Sequence, residues 1–183
     1  MLGFTGFVRD WHGLDRVVDL VADLGAARDM HLLIVGDGPA VPALRERAAA
    51  RGVAERVTFA GLVPREAIPD YVAAFDVAIQ PRVVDYASPL KLFEYMALGR
   101  PIAAPATANI REVLRDGENA LLFDPADDGG LRAAITRLCA DAGLRQRLGR
   151  AARAAIDAQE LTWASNARRV VALFEEALAA RRR

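Results

Sequence analysis

Six short apolar runs punctuate the chain, at residues 4–8, 31–35, 56–59, 77–79, 101–104 and 120–123. Several carry no polar alternation, which is the pattern of strands covered on both faces in a parallel sheet. Between them the apolar period lengthens. Leu14, Val17, Val18 and Val21 recur at i, i+3, i+4 and i+7, one face of a helix. Comparable stripes run through 41–50, 67–75, 90–98 and 131–138. Strand alternating with helix predicts an α/β fold: a doubly wound, Rossmann-like parallel sheet of about six strands flanked by helices. Beyond about residue 128 no strand pattern follows, and helices over roughly 128–140, 142–158 and 162–180 are expected as a helical tail. The last has Trp163, Ala167, Val170, Phe174 and Leu178 on one stripe, which must pack either on its own sheet or on a partner.

Length and composition narrow the picture without changing it. The 183 residues suit one well-cored domain, and 53% hydrophobic with 26% charged residues is an ordinary globular balance. Lys+Arg 24 against Asp+Glu 24 gives net zero, so no whole-chain field recruits nucleic acid or an anionic membrane. Arg181-Arg182-Arg183 reads as a frayed basic tail. No apolar run reaches the roughly 18 residues of a membrane span and no signal peptide pattern opens the chain, so a cytoplasmic location is expected. The single cysteine, Cys139, excludes a disulfide framework and a cysteine metal cluster. Among the basic residues one count is pointed: arginine outnumbers lysine 23 to 1, and the lysine is Lys91.

Ligands of an open parallel sheet bind outside the carboxyl ends of its strands, so the strand-to-helix loops are where chemistry is expected. The first, Gly6 to Gly13, offers small residues, Arg9 and His12 before a helix at Leu14, which suits an anion or an incidental surface loop. The second, Gly36-Asp37-Gly38-Pro39, lacks the third glycine and the distant acid of a dinucleotide fingerprint and reads as turn chemistry. The third is Tyr86-Ala87-Ser88-Pro89-Leu90-Lys91-Leu92-Phe93-Glu94. Ser88 as N-cap and Pro89 at the first helical position predict Lys91 in the first turn. There a cation opposes the helix dipole by about 0.3–1 kcal/mol unless an anion sits before it. Glu94 follows on the same face, with Leu90, Phe93 and Ala97 turned to the core. A surface Lys91–Glu94 pair fits the spacing equally well. His31 and Trp11 read as structural or as ring-stacking positions.

The run from Ser88-Pro-Leu-Lys-Leu-Phe-Glu through Tyr-Met-Ala-Leu-Gly-Arg-Pro101 resembles the donor-site segment of family 4 retaining glycosyltransferases, which have the two-domain GT-B fold. The likeness continues in order through Phe4-Thr-Gly-Phe7, Trp11-His-Gly13, Leu32 to Pro39, Arg56 to Pro64, Asp76 to Pro81, Asn109 to Val113, Asp116 to Phe123 and Trp163. It implies a carboxyl-terminal, donor-binding half that moves a sugar from a nucleoside diphosphate sugar to an acceptor hydroxyl, with no cofactor and no essential metal. By position, Arg9 and Lys91 would hold the diphosphate and Glu94 the ribose hydroxyls, as the catalytic set. Gly6, His12, Gly13, Tyr86, Ser88, Pro89 and Leu90 would face the donor, and Phe59, Leu62 and Val63 its base. Two positions depart from the family pattern: Tyr86 stands where an acid is usual, and His12 where a lysine is usual. The resemblance further implies a Rossmann-like nucleotide-sugar domain over 1–160, and a terminal helix over 161–183 that packs on it or on a missing amino-terminal acceptor domain. Self-association of such a half, work in polysaccharide or lipopolysaccharide assembly, and a place at the inner membrane face in a longer protein are its further implications. A non-catalytic nucleotide-binding subunit and a nucleotide-sugar epimerase half are the alternatives.

Overall fold

In a computed structural model, residues 1–181 are described, apart from the side chains at positions 25, 26 and 28. Arg182 and Arg183 of the expected basic tail lie outside the described residues. Six strands form one parallel sheet in the order β3-β2-β1-β4-β5-β6: β1 (Leu2–Thr5), β2 (Leu32–Val35), β3 (Val57–Gly61), β4 (Val77–Ile79), β5 (Ile102–Pro105) and β6 (Leu121–Phe123). The connecting helices are α1 (Leu14–Arg28), α2 (Val41–Ala50), α3 (Ile68–Ala73), α4 (Lys91–Ala97), α5 (Ala108–Arg111) and α6 (Gly130–Ala140). Two more, α7 (Ala142–Ala158) and α8 (Trp163–Arg181), end the described chain.

The unalternating apolar runs are explained by two cores, one on each face of the sheet. Successive strand side chains point to opposite faces. Leu32 and Ile34 join Leu2, Phe4 and Ile79 beneath α1, α2 and α6. Leu33 and Val35 join Ala78, Ile102 and Ala104 beneath α3, α4 and α7. Each fully buried Leu, Ile or Phe contributes about 1.5–3 kcal/mol of hydrophobic burial, so the large apolar residues of the inner strands β1, β2, β4 and β5 serve one core or the other.

The first strand ends earlier than its apolar run. Thr5 is its last residue, because Gly6 leaves the ladder at φ +129°. Val8 is apolar for another reason: it is buried where the first loop crosses the second, and its N–H donates to the Asp37 carbonyl at 2.9 Å. Gly36 and Gly38 are required by that crossing. A Cβ on Gly36 would overlap the Gly6 carbonyl, and one on Gly38 the Val8 carbonyl.

At the other end, α7 is started by Asp141, whose side chain accepts the Leu144 N–H at 2.8 Å. It packs on α4 where Gly149 meets the Gly99 backbone, too close for any side chain at 149. The last helix behaves differently. Of the 19 residues of α8 only Ser165 is buried, and Trp163, Val170, Val171, Leu173, Phe174 and Leu178 are exposed. Of the two expected packings for its stripe, the one on its own sheet is not found.

Candidate functional site

The strand order reverses between β1 and β4, so the loops leaving these two strands diverge and open a crevice at their carboxyl ends. Its walls are the first loop, residues 6–13, and α4. Gly6 lies directly against the Lys91 side chain: a Cβ at position 6 would stand 3.1 Å from Nζ. The ammonium position is 3.6 Å from the centroid of the Phe4 ring and 3.5 Å from His12 Nε2. Burial in this aromatic setting pulls the Lys91 pKa down to about 7, with Glu94 acting in the opposite direction.

His12 is itself only 5% exposed. It closes a single 3-10 turn, Asp10–His12, and its ring is wedged between Trp11 at 3.9 Å and the edge of Phe4 at 4.9 Å between centroids. Its Nδ1 accepts the Arg9 backbone N–H at 3.1 Å. Burial foremost, then the Lys91 charge, lowers its pKa to about 4, so the ring is neutral at physiological pH. A neutral imidazole whose Nδ1 accepts must carry its proton on Nε2, the atom that faces Lys91. Gly13 follows in the left-handed region at φ +69°, with the Arg82 Cβ 3.2 Å from where its own would be.

The helix carrying Lys91 differs from its expected register. α4 begins at Lys91, its N-cap position is Leu90 in helical conformation, and no side chain caps it. Ser88 is therefore not the N-cap and Lys91 is the first helical residue, not the third. The chain enters through two i→i+3 bonds, Leu92 N–H to Pro89 and Phe93 N–H to Leu90. The buried face is Leu92, Tyr95 and Met96; Leu90 and Ala97 are exposed and Phe93 is half-buried, which corrects the expected core face. Leu92, Tyr95 and Met96 follow the i, i+3, i+4 rule from two residues later than Leu90.

The remaining candidates are scattered around this centre. The Arg9 guanidinium lies over the exposed Phe7 ring at 4.8 Å and lines a cleft of about 260 Å³ with Asp10, Asp15 and Arg47. Glu94, Tyr86 and Ser88 are exposed and Pro89 is half-buried, with Tyr86 90% exposed. Phe59 packs on the α1/α2 side under the Arg45 guanidinium at 4.3 Å, whereas Val63 packs on the opposite core and Leu62 is 81% exposed. The structure thus brings Gly6, His12, Gly13 and Lys91 together. It does not join them to Phe59, Leu62 or Val63.

Three residues escaped the sequence reading. Phe4 supplies the ring under Lys91, but its apolar run marks it only as core. Tyr95, wholly buried, has its hydroxyl 2.8 Å from the Thr5 N–H, which it accepts, and 3.2 Å from Thr5 Oγ1. It thereby ties α4 to the end of β1. Asn109 donates from Nδ2 to the Ala87 carbonyl at 2.5 Å, pinning the loop before α4. Both were legible only as a polar group inside an apolar stretch. What the assembled groups can do is hold an anion, since Lys91 and His12 Nε2 present protons. Among the described residues no group of three His, Cys, Asp or Glu side chains could hold a metal, and no helix is long and apolar enough to cross a membrane.

Residues 1–141 match the family model described as glycosyl transferases group 1. The chain is 27% identical over 146 residues to alpha-D-kanosaminyltransferase of Streptomyces kanamyceticus, covering 79% of this chain and 38% of that protein. It is 32% identical over 190 residues to D-inositol 3-phosphate glycosyltransferase of Acidothermus cellulolyticus, covering 98% of this chain and 41% of that protein. Among solved structures it is similar to HepE of Anabaena in complex with UDP, at 21% identity and a TM-score of 0.84 over 96% of this chain and 48% of that one. The chain thus spans less than half the length of each of these proteins.

Proposed function

Since the chain belongs to the group 1 glycosyltransferases of family 4, as a carboxyl-terminal domain of their GT-B fold, we propose that it binds the nucleoside diphosphate sugar for a retaining transfer to an acceptor hydroxyl. The single observation that carries this reading is the Lys91–His12–Gly6 cluster in the crevice between β1 and β4. It offers proton donors to an anion, is largely desolvated and lies where α/β sheets take their ligands. Breaking the bond between sugar and diphosphate leaves negative charge on the departing phosphate, and a donor group fixed at that oxygen stabilises the transition state more than the ground state. Lys91 and His12 Nε2 supply two such groups from a desolvated setting, and in this reading Arg9 joins them on the diphosphate. No metal is needed for that charge in this reading. In this reading Glu94, exposed one helical turn beyond Lys91, accepts from the ribose hydroxyls.

The same reading takes 1–160 as the donor domain. The exposed stripe of α8 then faces an amino-terminal acceptor domain of a longer protein, with the completed enzyme a cytoplasmic hexosyltransferase of polysaccharide or lipopolysaccharide assembly. Calorimetric titration of UDP-glucose and GDP-mannose into the domain, without magnesium, tests it. Binding of one base, lost at least tenfold in Lys91→Ala and weakened in Glu94→Gln, is the expected result. Absence of binding by either at millimolar concentration overturns the reading.

A further inference from the structure

The hydrogen-bond polarity of the cluster decides the charge of its lysine. The Arg9 amide donates to His12 Nδ1, which leaves Nε2 as the protonated nitrogen of a neutral ring. Nε2 stands 3.5 Å from Lys91 Nζ. An ammonium has three donors and no acceptor, so it would oppose that Nε2–H; a neutral amine offers a lone pair and accepts it. The surroundings agree. The charged or titratable groups that face Lys91 are His12 from the first loop and Glu94 from α4 itself. Arg9 acts on His12, Tyr95 is engaged with Thr5, and Arg82 and Arg16 reach Gly13 only through methylenes. Among the described residues no carboxylate lies within ion-pair distance of Nζ. A phosphate oxygen entering the crevice reverses the polarity, because it accepts from Nε2–H and from an ammonium together.

We propose that the donor diphosphate binds together with one proton, taken from the surrounding buffer by the Lys91 amine, while His12 remains neutral and donates through Nε2. The site is then a proton-linked one: charge appears on Lys91 only when there is an anion to meet it. This rests on the donor-binding reading above and adds the protonation state in which the donor is taken up. A neutral lysine in the vacant crevice would also spare the domain an uncompensated buried charge, which is costly in a desolvated setting.

Lys91 is the one lysine of the chain, so lysine labelled with carbon-13 at Cε gives one side-chain signal to follow. In the ligand-free protein that signal should titrate near neutrality, in line with the lowered pKa of about 7. Saturation with UDP-glucose or GDP-mannose, whose diphosphate diesters do not titrate near neutral pH, should move the midpoint up by at least about one pH unit. Affinity should fall by up to about tenfold per pH unit above neutrality until the bound midpoint is reached. Calorimetry at about pH 8 in two buffers of different ionisation heat should register proton uptake. Lys91→Arg keeps a permanent cation and should bind with little pH dependence and no uptake. A ligand-free midpoint near that of an ordinary lysine, or a nucleotide sugar that binds at saturation without moving the signal, overturns the proton linkage and leaves the donor-binding reading standing. Failure of both nucleotide sugars to bind at about pH 6, where Lys91 is charged in either case, overturns both.

Discussion

Phe4 serves two purposes with one ring. It fills the core beneath α1 and α2, and it offers its face to Lys91 Nζ. A cation over an aromatic face is worth about 0.5–2 kcal/mol, so Phe4→Leu should keep most of the packing yet lower the Lys91 titration midpoint further, which the single-lysine signal would report. Tyr95→Phe leaves the Thr5 N–H buried without a partner and should cost about 1–3 kcal/mol in denaturant unfolding. Two depressed basic groups also set how stability follows pH. Unfolded Lys91 holds its proton to about pH 10.5 and folded Lys91 only to about 7, so the unfolded chain binds more protons in between. The ligand-free domain should therefore gain thermal stability as pH rises from about 7 towards 9, and Lys91→Met should flatten that limb. His12, at about 4 when folded against 6.5 when free, adds a gain of the same sign between those values. At this scale Lys91 was legible because it is the one lysine among 23 arginines, and His12 because of its place in a strand-to-helix loop. Phe4 was not, since an aromatic in an apolar run carries no sign of what its face touches.

At the scale of elements, hydrophobic period sufficed wherever the element was long or both of its neighbours were apolar. The bounds of α2 were read without error, and each of the six strands was placed within two or three residues. The departures have local causes. Gly6 ends β1 early by leaving the ladder with positive φ, and the register of α4 shifted because the sequence of a good cap, Ser88-Pro89, is not used as one. Capping chemistry is a preference of about 1 kcal/mol, and the pinning of the preceding loop by Asn109 competes with it. α5, of four residues, is too short to show a period. The contact between α4 and α7 depends on a close approach that composition could not announce. Gly149→Ala would drive a methyl into the Gly99 carbonyl, and should cost about 1–3 kcal/mol in denaturant midpoint while also loosening the helix that carries Lys91.

Across the whole molecule, α8 is the element least committed to the body. Removing the chain after Leu161 should change the thermal midpoint of the sheet core little, because only Ser165 of that helix is buried. A drop of more than about 5 °C by circular dichroism would contradict this. The sheet itself divides unevenly. β1 meets β2 through four registered pairs, Leu2 to Thr5 with Leu32 to Val35, but meets β4 through two, Leu2↔Val77 and Gly3↔Ala78. On one side of that seam lie β1, β2 and β3 with α1 and α2, contiguous in the sequence; on the other lie β4, β5 and β6 with α4 and α5. Contacts within each group span short stretches of chain, while those across the seam span about 75 residues, and long-range pairing is the slow part of folding. His12 belongs to the first group and Lys91 to the second. During synthesis the imidazole is thus laid down well before its amine exists, and the anion-holding pair is complete only once the long-range seam between β1 and β4 has closed.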